Sequence, residues 1–369
     1  MNIVRQILPA ITLVAAMSCH VATVNAQGGP SSNGSGTVDR PVGSSAVRNG
    51  SNPDYRAAAD YSTANEGVSL LAMRSGEIVF EDYANGGGPE TAWVTASGTK
   101  SFWGVLLAAM VQDGEARIDE LVSDTITEWQ ADPLKNGITV SHLLYMTDGL
   151  RGQPPGPGAV ETYAEAVALP LAHPPGSTFV YRPAPFQVFG EWVRRKMTGR
   201  YSDAVDYMQE RIFDHLDIAP AYWPTEADGL PRMPSSSEWT ARDWAVFGEF
   251  VRLGGNWNGR QLVDPAALAA NFAGSAANAG YGLGWWLVHD TLPDGAEPPR
   301  ERAIEGWPQS DDRFPGLMYI ARGGGNQRMY IVPEWELVIV RQQRIGRTGP
   351  VRSDFSDLEF WQELVGGEP

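Results

Sequence analysis

The sequence predicts an α/β fold of the α+β kind: both ends of the chain build one antiparallel β-sheet flanked by helices, and a mostly helical subdomain is inserted between them. Three observations carry this. Strand-like runs cluster at residues 68–83 and again at 317–342, helical periodicity dominates the stretch between them, and a helical pattern closes the chain. The sheet subdomain is expected over approximately residues 53–95 and 280–369, and the helical subdomain over approximately 96–279.

Taken in order, residues 68–73 and 77–83 flank Arg74-Ser75-Gly76 and read as a β-hairpin. Phe102, Val105, Leu106, Ala109 and Met110 recur at helical spacing and end at Gly114, which predicts a helix. Further helices are expected over residues 185–197, stopped near Gly199, and over 202–216, where Val205, Met208, Ile212 and Phe213 share one side. Thr240-Ala241-Arg242-Asp243 opens another with the spacing of a capping box. Residues 317–321, 329–333 and 337–342 read as antiparallel strands. The last helix carries a stripe of Phe355, Leu358, Phe360, Trp361 and Leu364.

Ahead of this domain, Arg5, an apolar stretch over residues 7–17 and Val24-Asn25-Ala26 before Gln27 have the form of an export signal spanning residues 1–26. The apolar stretch is too short to span a bilayer. Residues 27–52, rich in Gly, Ser, Asn and Pro, read as a flexible leader, and 53–369 as the folded domain. The expected address is periplasmic or secreted. Ala16-Met17-Ser18-Cys19 offers the alternative of a lipid anchor at Cys19, the only cysteine, so the folded part is expected to hold no disulfide. The net charge is −16 and no Lys/Arg run occurs, which disfavours nucleic acid and anionic membrane as partners.

The chemistry is concentrated at Ser97-Gly98-Thr99-Lys100. Residues three apart on a helix share a face, so the Ser97 hydroxyl lies beside the Lys100 ammonium. A lysine whose pKa is lowered by burial or neighbouring charge takes the serine proton as a neutral amine, and a helix N-terminus favours the negative charge that develops. The plain alternative makes Ser97 a helix N-cap and Lys100 a solvated side chain, although a lysine there opposes the helix dipole.

Two later segments complete a reaction centre. Pro174-Pro175-Gly176-Ser177-Thr178-Phe179-Val180-Tyr181 delivers a tyrosine on a loop, suited to proton transfer in a cleft or to simple packing. Ala321-Arg322-Gly323-Gly324-Gly325 is either a turn between strands or a glycine edge that leaves a main-chain N–H free to donate.

The ordered set Ser97-x-x-Lys100, Tyr181 and the Gly323 strand ending at Pro333 resembles the serine β-lactamase and penicillin-binding protein superfamily. The match is closest to the class C-like branch with carboxylesterases, D-amino-acid peptidases and 6-aminohexanoate-dimer hydrolases. Residues 142–150, Thr240-Ala241-Arg242-Asp243, residues 254–259 and Tyr281-Gly282-Leu283-Gly284-Trp285-Trp286 support it, so the resemblance covers roughly residues 55–365. It implies Ser97 as nucleophile, Lys100 as activator, Tyr181 as general acid/base, and the N–H groups of Ser97 and Gly324 as an oxyanion hole. Two positions depart from the pattern. Pro183 stands where lactamases carry Asn, and Ala321 stands where Lys or His is usual, with Arg322 one residue away.

The expected activity is hydrolysis of a small ester or amide through an acyl-enzyme. The alternatives are a β-lactamase or D,D-peptidase, and a non-catalytic sensor of acyl ligands. Neither metal nor cofactor is expected: no H-E-x-x-H occurs, and His142, His173, His215 and His289 are scattered. No G-x-S-x-G elbow occurs in the folded part. Asp148, Arg322, Gly323 and Trp286 are candidate substrate-binding residues, with Trp93, Trp103 and Trp285 further candidates for lining an acyl pocket. Asp148 either pairs with a substrate amine or caps a turn.

Overall fold

The computed structural model describes residues 53–156, 158–289, 302–308, 310–346 and 349–366. The expected export signal, the leader and Cys19 lie outside them. The strands are β1 (Gly67–Arg74), β2 (Glu77–Tyr83), β3 (Trp93–Val94), β4 (Glu238–Trp239), β5 (Asn256–Trp257), β6 (Arg260–Gln261), β7 (Trp286–His289), β8 (Leu317–Gly323), β9 (Gln327–Val332), β10 (Leu337–Gln343), β11 (Ile345–Gly346) and β12 (Gly349–Pro350). The helices are α1 (Tyr55–Ala64), α2 (Ser101–Gln112), α3 (Val140–Leu144), α4 (Tyr163–Ala168), α5 (Ala184–Lys196), α6 (Ala204–Met208), α7 (Asp214–Leu216), α8 (Ala241–Arg252), α9 (Pro265–Ala270) and α10 (Asp357–Val365).

Strands from both chain ends meet in one antiparallel sheet of order β2-β1-β10-β9-β8-β7. Its centre joins the N-terminal hairpin to the C-terminal strands, with Leu71 opposite Val340. The hairpin differs from its sequence reading in one respect. Seven of the eight residues of β1 are buried, so it does not alternate between core and solvent. It is an interior strand packed against α1, which itself packs on α10, and against α8. Strand β2 is the exposed edge.

Strand β7 forms the opposite edge of the sheet, pairing Trp286 with Ile320. Sequence patterning does not single it out, because four residues without alternation carry no period.

Helix α2 is buried on every side, from Ser101 through Met110. Trp103, Gly104, Leu107 and Ala108 are enclosed along with the expected apolar face, as befits a helix threaded through the core rather than laid on it. Gly104 is required there, since a Cβ would lie 2.4 Å from the Leu283 carbonyl oxygen. The expected helix over 202–216 is interrupted: α6 and α7 flank a π-turn at Gln209–Phe213, and Asp203 is the N-cap. Thr240 caps α8 by accepting the Asp243 N–H at 3.0 Å.

Candidate active site

Ser97 and Lys100 lie in a 3₁₀ turn, Ala96–Lys100, that feeds directly into α2. With three residues per turn, side chains at i and i+3 eclipse, so this turn stacks the pair more directly than the α-helical first turn expected from sequence. Lys100 Nζ stands 3.0 Å from Ser97 Oγ and donates to the Pro234 carbonyl at 2.7 Å. Among the described residues no carboxylate contacts the amine. Lys100 is 2% exposed, and burial lowers its pKa to about 7. Near neutral pH a substantial fraction of this lysine is therefore the free amine, a proton acceptor in contact with a hydroxyl.

The turn is fixed from several directions. Thr95, Thr99 and Ser237 share a buried hydroxyl network with contacts of 3.0–3.1 Å, and Ser237 N–H donates to Thr99 Oγ1 at 3.2 Å. Ala96 adopts φ +47° and Ser236 φ +78°, and the Ser236 N–H donates to the Ala96 carbonyl at 3.0 Å. A left-handed alanine beside the nucleophile costs about 1–2 kcal/mol and persists only where its surroundings hold it.

Tyr181 arrives on the loop before α5. Its ring centroid lies 5.0 Å from Lys100 Nζ and stacks on Trp286 at 5.6 Å, with Tyr281 edge-on at 5.9 Å. The Val180 N–H donates to the Met146 carbonyl at 3.0 Å, anchoring the loop. The structure thus sets the ring of Tyr181 against Lys100, which in turn contacts Ser97.

A cavity of about 700 Å³ opens over Ser97 and Lys100, and Gly324 stands on its wall. Gly323 and Gly324 serve different purposes. A Cβ on Gly323 would lie 2.0 Å from the Thr95 carbonyl oxygen, so this glycine lets β8 close onto the nucleophile turn. A Cβ on Gly324 would meet nothing within 4 Å. Gly323→Ala is expected to destabilise the protein by about 3 kcal/mol, because the obstructing atom is backbone and cannot rotate away. Thermal denaturation of the variant measures this.

None of the four expected substrate-binding residues lines the cavity wall. Asp148 is buried inside its turn, where Oδ1 accepts the Leu150 N–H at 2.8 Å, and burial raises its pKa to about 7. Of its two sequence readings, turn capping is the one realised. Arg322 points away: Nη1 donates to the Ala303 carbonyl at 2.9 Å, and the guanidinium lies over the Trp286 ring at 5.7 Å. Trp286 lies beneath Tyr181, and Gly323 acts through its backbone. Ala321 is fully buried, so the third motif supplies no cation to the wall. Trp103 and Trp285 are core residues, and Trp93 is not on the wall.

Sequence reasoning missed the segment 232–238. Pro234 supplies the carbonyl that holds Lys100, while Arg232, Ser235, Ser236 and Glu238 stand on the wall. Pro-Ser-Ser-Ser reads as an ordinary loop, and no local signal reveals that it returns to a lysine far earlier in the chain.

A family model described as Beta-lactamase matches residues 54–345. The chain belongs to this beta-lactamase family, a family of hydrolases. Solved structures agree in fold. EstCE1, a hydrolase with promiscuous acyltransferase activity, shares 15% identity at a TM-score of 0.63, covering 84% of this chain and 99% of its own. The Beta-Lactamase/D-Alanine Carboxypeptidase from Pseudomonas syringae shares 15% at 0.61, over 85% and 98%. The D-stereospecific amidohydrolase from Streptomyces sp. shares 18% at 0.57, over 79% and 94%. None of the curated proteins compared matches the chain.

Proposed function

We propose that this protein is an exported serine hydrolase that cleaves a small ester or amide through an acyl-enzyme on Ser97. The observation that carries the reading is a buried lysine, without a carboxylate partner among the described residues, 3.0 Å from a serine hydroxyl on the wall of a cavity. The neutral Lys100 amine takes the proton from Ser97 Oγ as the oxygen attacks the substrate carbonyl carbon. The N–H groups of Ser97 and Gly324 receive the oxyanion, a role worth about 3–4 kcal/mol per donor in other hydrolases. Collapse expels the alcohol or amine, protonated from Lys100 by way of the Tyr181 hydroxyl. Water then attacks the acyl-enzyme with the same groups in reverse.

Ester and amide turnover is favoured over β-lactam turnover. Pro183 replaces the side-chain amide of the lactamase pattern, and neither Ala321 nor Arg322 offers a cation to the cavity. Export rests on the form of residues 1–26, which directs the enzyme to the periplasm or the medium.

Incubation with a fluorophosphonate followed by peptide mapping tests the nucleophile. Label is expected on the Ser97 peptide and absent in Ser97→Ala. Label elsewhere in active protein, or wild-type hydrolysis by Ser97→Ala, overturns the assignment. In the same assays p-nitrophenyl esters are expected to turn over at least about tenfold faster than nitrocefin. Equal rates would restore the β-lactamase reading.

A further inference from the structure

We propose that Glu238 and Tyr222 form a subsite for a cationic group of the substrate, so that this hydrolase selects esters or amides bearing an ammonium. The inference rests on the hydrolase reading above and adds to it the charge of what is hydrolysed.

The geometry comes from a small ladder beside the nucleophile. Val94 of β3 pairs with Glu238 of β4, and Tyr222 bridges to Glu238 from the other side. Residues directly across a ladder present their side chains to the same face. All three stand on the wall of the cavity that holds Ser97. The alternate pair, Trp93 with Trp239, lies on the opposite face, where Trp239 is fully buried against Phe102 and Phe213. The register therefore fixes a carboxylate and a half-exposed phenol ring side by side, facing the reaction centre.

The charges on that wall are Lys100, Arg232 and Glu238. Arg232 is neutralised by Glu226, whose carboxylate its guanidinium touches. Lys100 is largely uncharged above pH 7. Glu238 has no hydrogen-bonding or ionic side-chain partner among the described residues, and partial burial raises its pKa with no cation opposing the shift. An anionic wall group left unpaired beside an aromatic face is the arrangement that recognises an alkylammonium, by ion pairing with the carboxylate and by cation–π attraction to the ring.

The cation can belong to the acyl part or to the leaving group, and paired substrates separate the two. For the leaving group, choline butyrate is compared with its carbon isostere, in which tert-butyl replaces trimethylammonium. For the acyl part, p-nitrophenyl esters of an acid ending in trimethylammonium or tert-butyl are compared. In the wild type the charged member of one pair is expected to have a kcat/KM about tenfold higher or more. In Glu238→Gln the ratio is expected to fall to about one. A ratio does not depend on the fraction of folded enzyme, so partial misfolding of the variant does not obscure it. A wild-type ratio near one in both pairs, or a ratio unchanged in Glu238→Gln, overturns the proposal while leaving the hydrolase reading intact. Calorimetric titration of Ser97→Ala with choline butyrate, against Ser97→Ala/Glu238→Gln, reads the subsite without turnover. Binding that needs Glu238, in a wild type that hydrolyses neither pair, upholds the cation site and sinks the hydrolase reading. Absence of both binding and turnover sinks both.

Discussion

Lys100→Met is expected to give a protein more stable than the wild type and without hydrolytic activity. The linkage follows from burial. In the unfolded chain a lysine has a pKa of about 10.4, whereas burial lowers that of Lys100 to about 7 in the folded state. The unfolded state therefore binds more protons between these values, and folding against that preference costs about 4 kcal/mol at pH 7. Methionine removes the cost but leaves the Pro234 carbonyl without its 2.7 Å donor, which returns about 1–3 kcal/mol. The net expectation is a gain of about 1–3 kcal/mol at pH 7. The sign has its own pH signature. The advantage of methionine is full below pH 7 and shrinks as pH climbs towards about 10, where the lysine is neutral in both states. Denaturant titrations of both proteins across that range measure it. Activity is expected to fall at least about a thousandfold, since the proton acceptor is gone. In the wild type, kcat/KM is expected to rise with pH through about 7 as the amine is freed. A variant that retains activity, or a stability difference indifferent to pH, contradicts this account of the lysine.

The second large effect is expected far from the substrate. Asp357, at the start of α10, is held bidentately by Arg328 at 2.7 and 2.9 Å and accepts a hydrogen bond from the Tyr330 hydroxyl. Burial alone raises its pKa, but Arg328, aided by Tyr330, holds the carboxyl below its ordinary value. Its stabilisation is therefore complete above about pH 4 and is lost as acid titrates the folded carboxylate. Asp357→Asn leaves the Arg328 guanidinium, 3% exposed, without its anion. A loss of about 3–5 kcal/mol follows, or about 5–8 °C in thermal midpoint. The effect reaches the reaction centre, because Arg328 Nη1 also donates to the Gly323 carbonyl at 3.0 Å. Differential scanning calorimetry at neutral pH provides the test, and a midpoint within about a degree of wild type refutes the role given to this pair.

Local patterns carried most of what was legible in the sequence. Ser97 and Lys100 are three residues apart, so any helical turn joins them, and the hairpin and terminal strands are marked by their own turns. Long-range returns left no such mark. The carbonyl of Pro234 reaches Lys100 from 134 residues away, and β4 becomes a wall of the site only by pairing with β3. Side-chain direction was equally hidden. Asp148 and Arg322 sit within or beside motif stretches, yet one turns inward to cap its own loop and the other spans to Ala303. Trp286, near a motif, reads from the sequence as a substrate contact. In the fold it is the platform on which Tyr181 rests.

The union of both chain ends in one sheet also governs how the protein is born. Strand β1 finds its inner neighbour only in β10, with Gly67 opposite Gln343, so all of the sequence between them must be synthesised before that pairing can close. Until then a strand meant for the interior has an open flank, and the chain depends on late, long-distance contacts that form slowly and leave unpaired backbone N–H and C=O groups and apolar side chains available to other molecules. For a nascent chain of this topology, the hazardous interval falls between making the first hairpin and releasing its last strand.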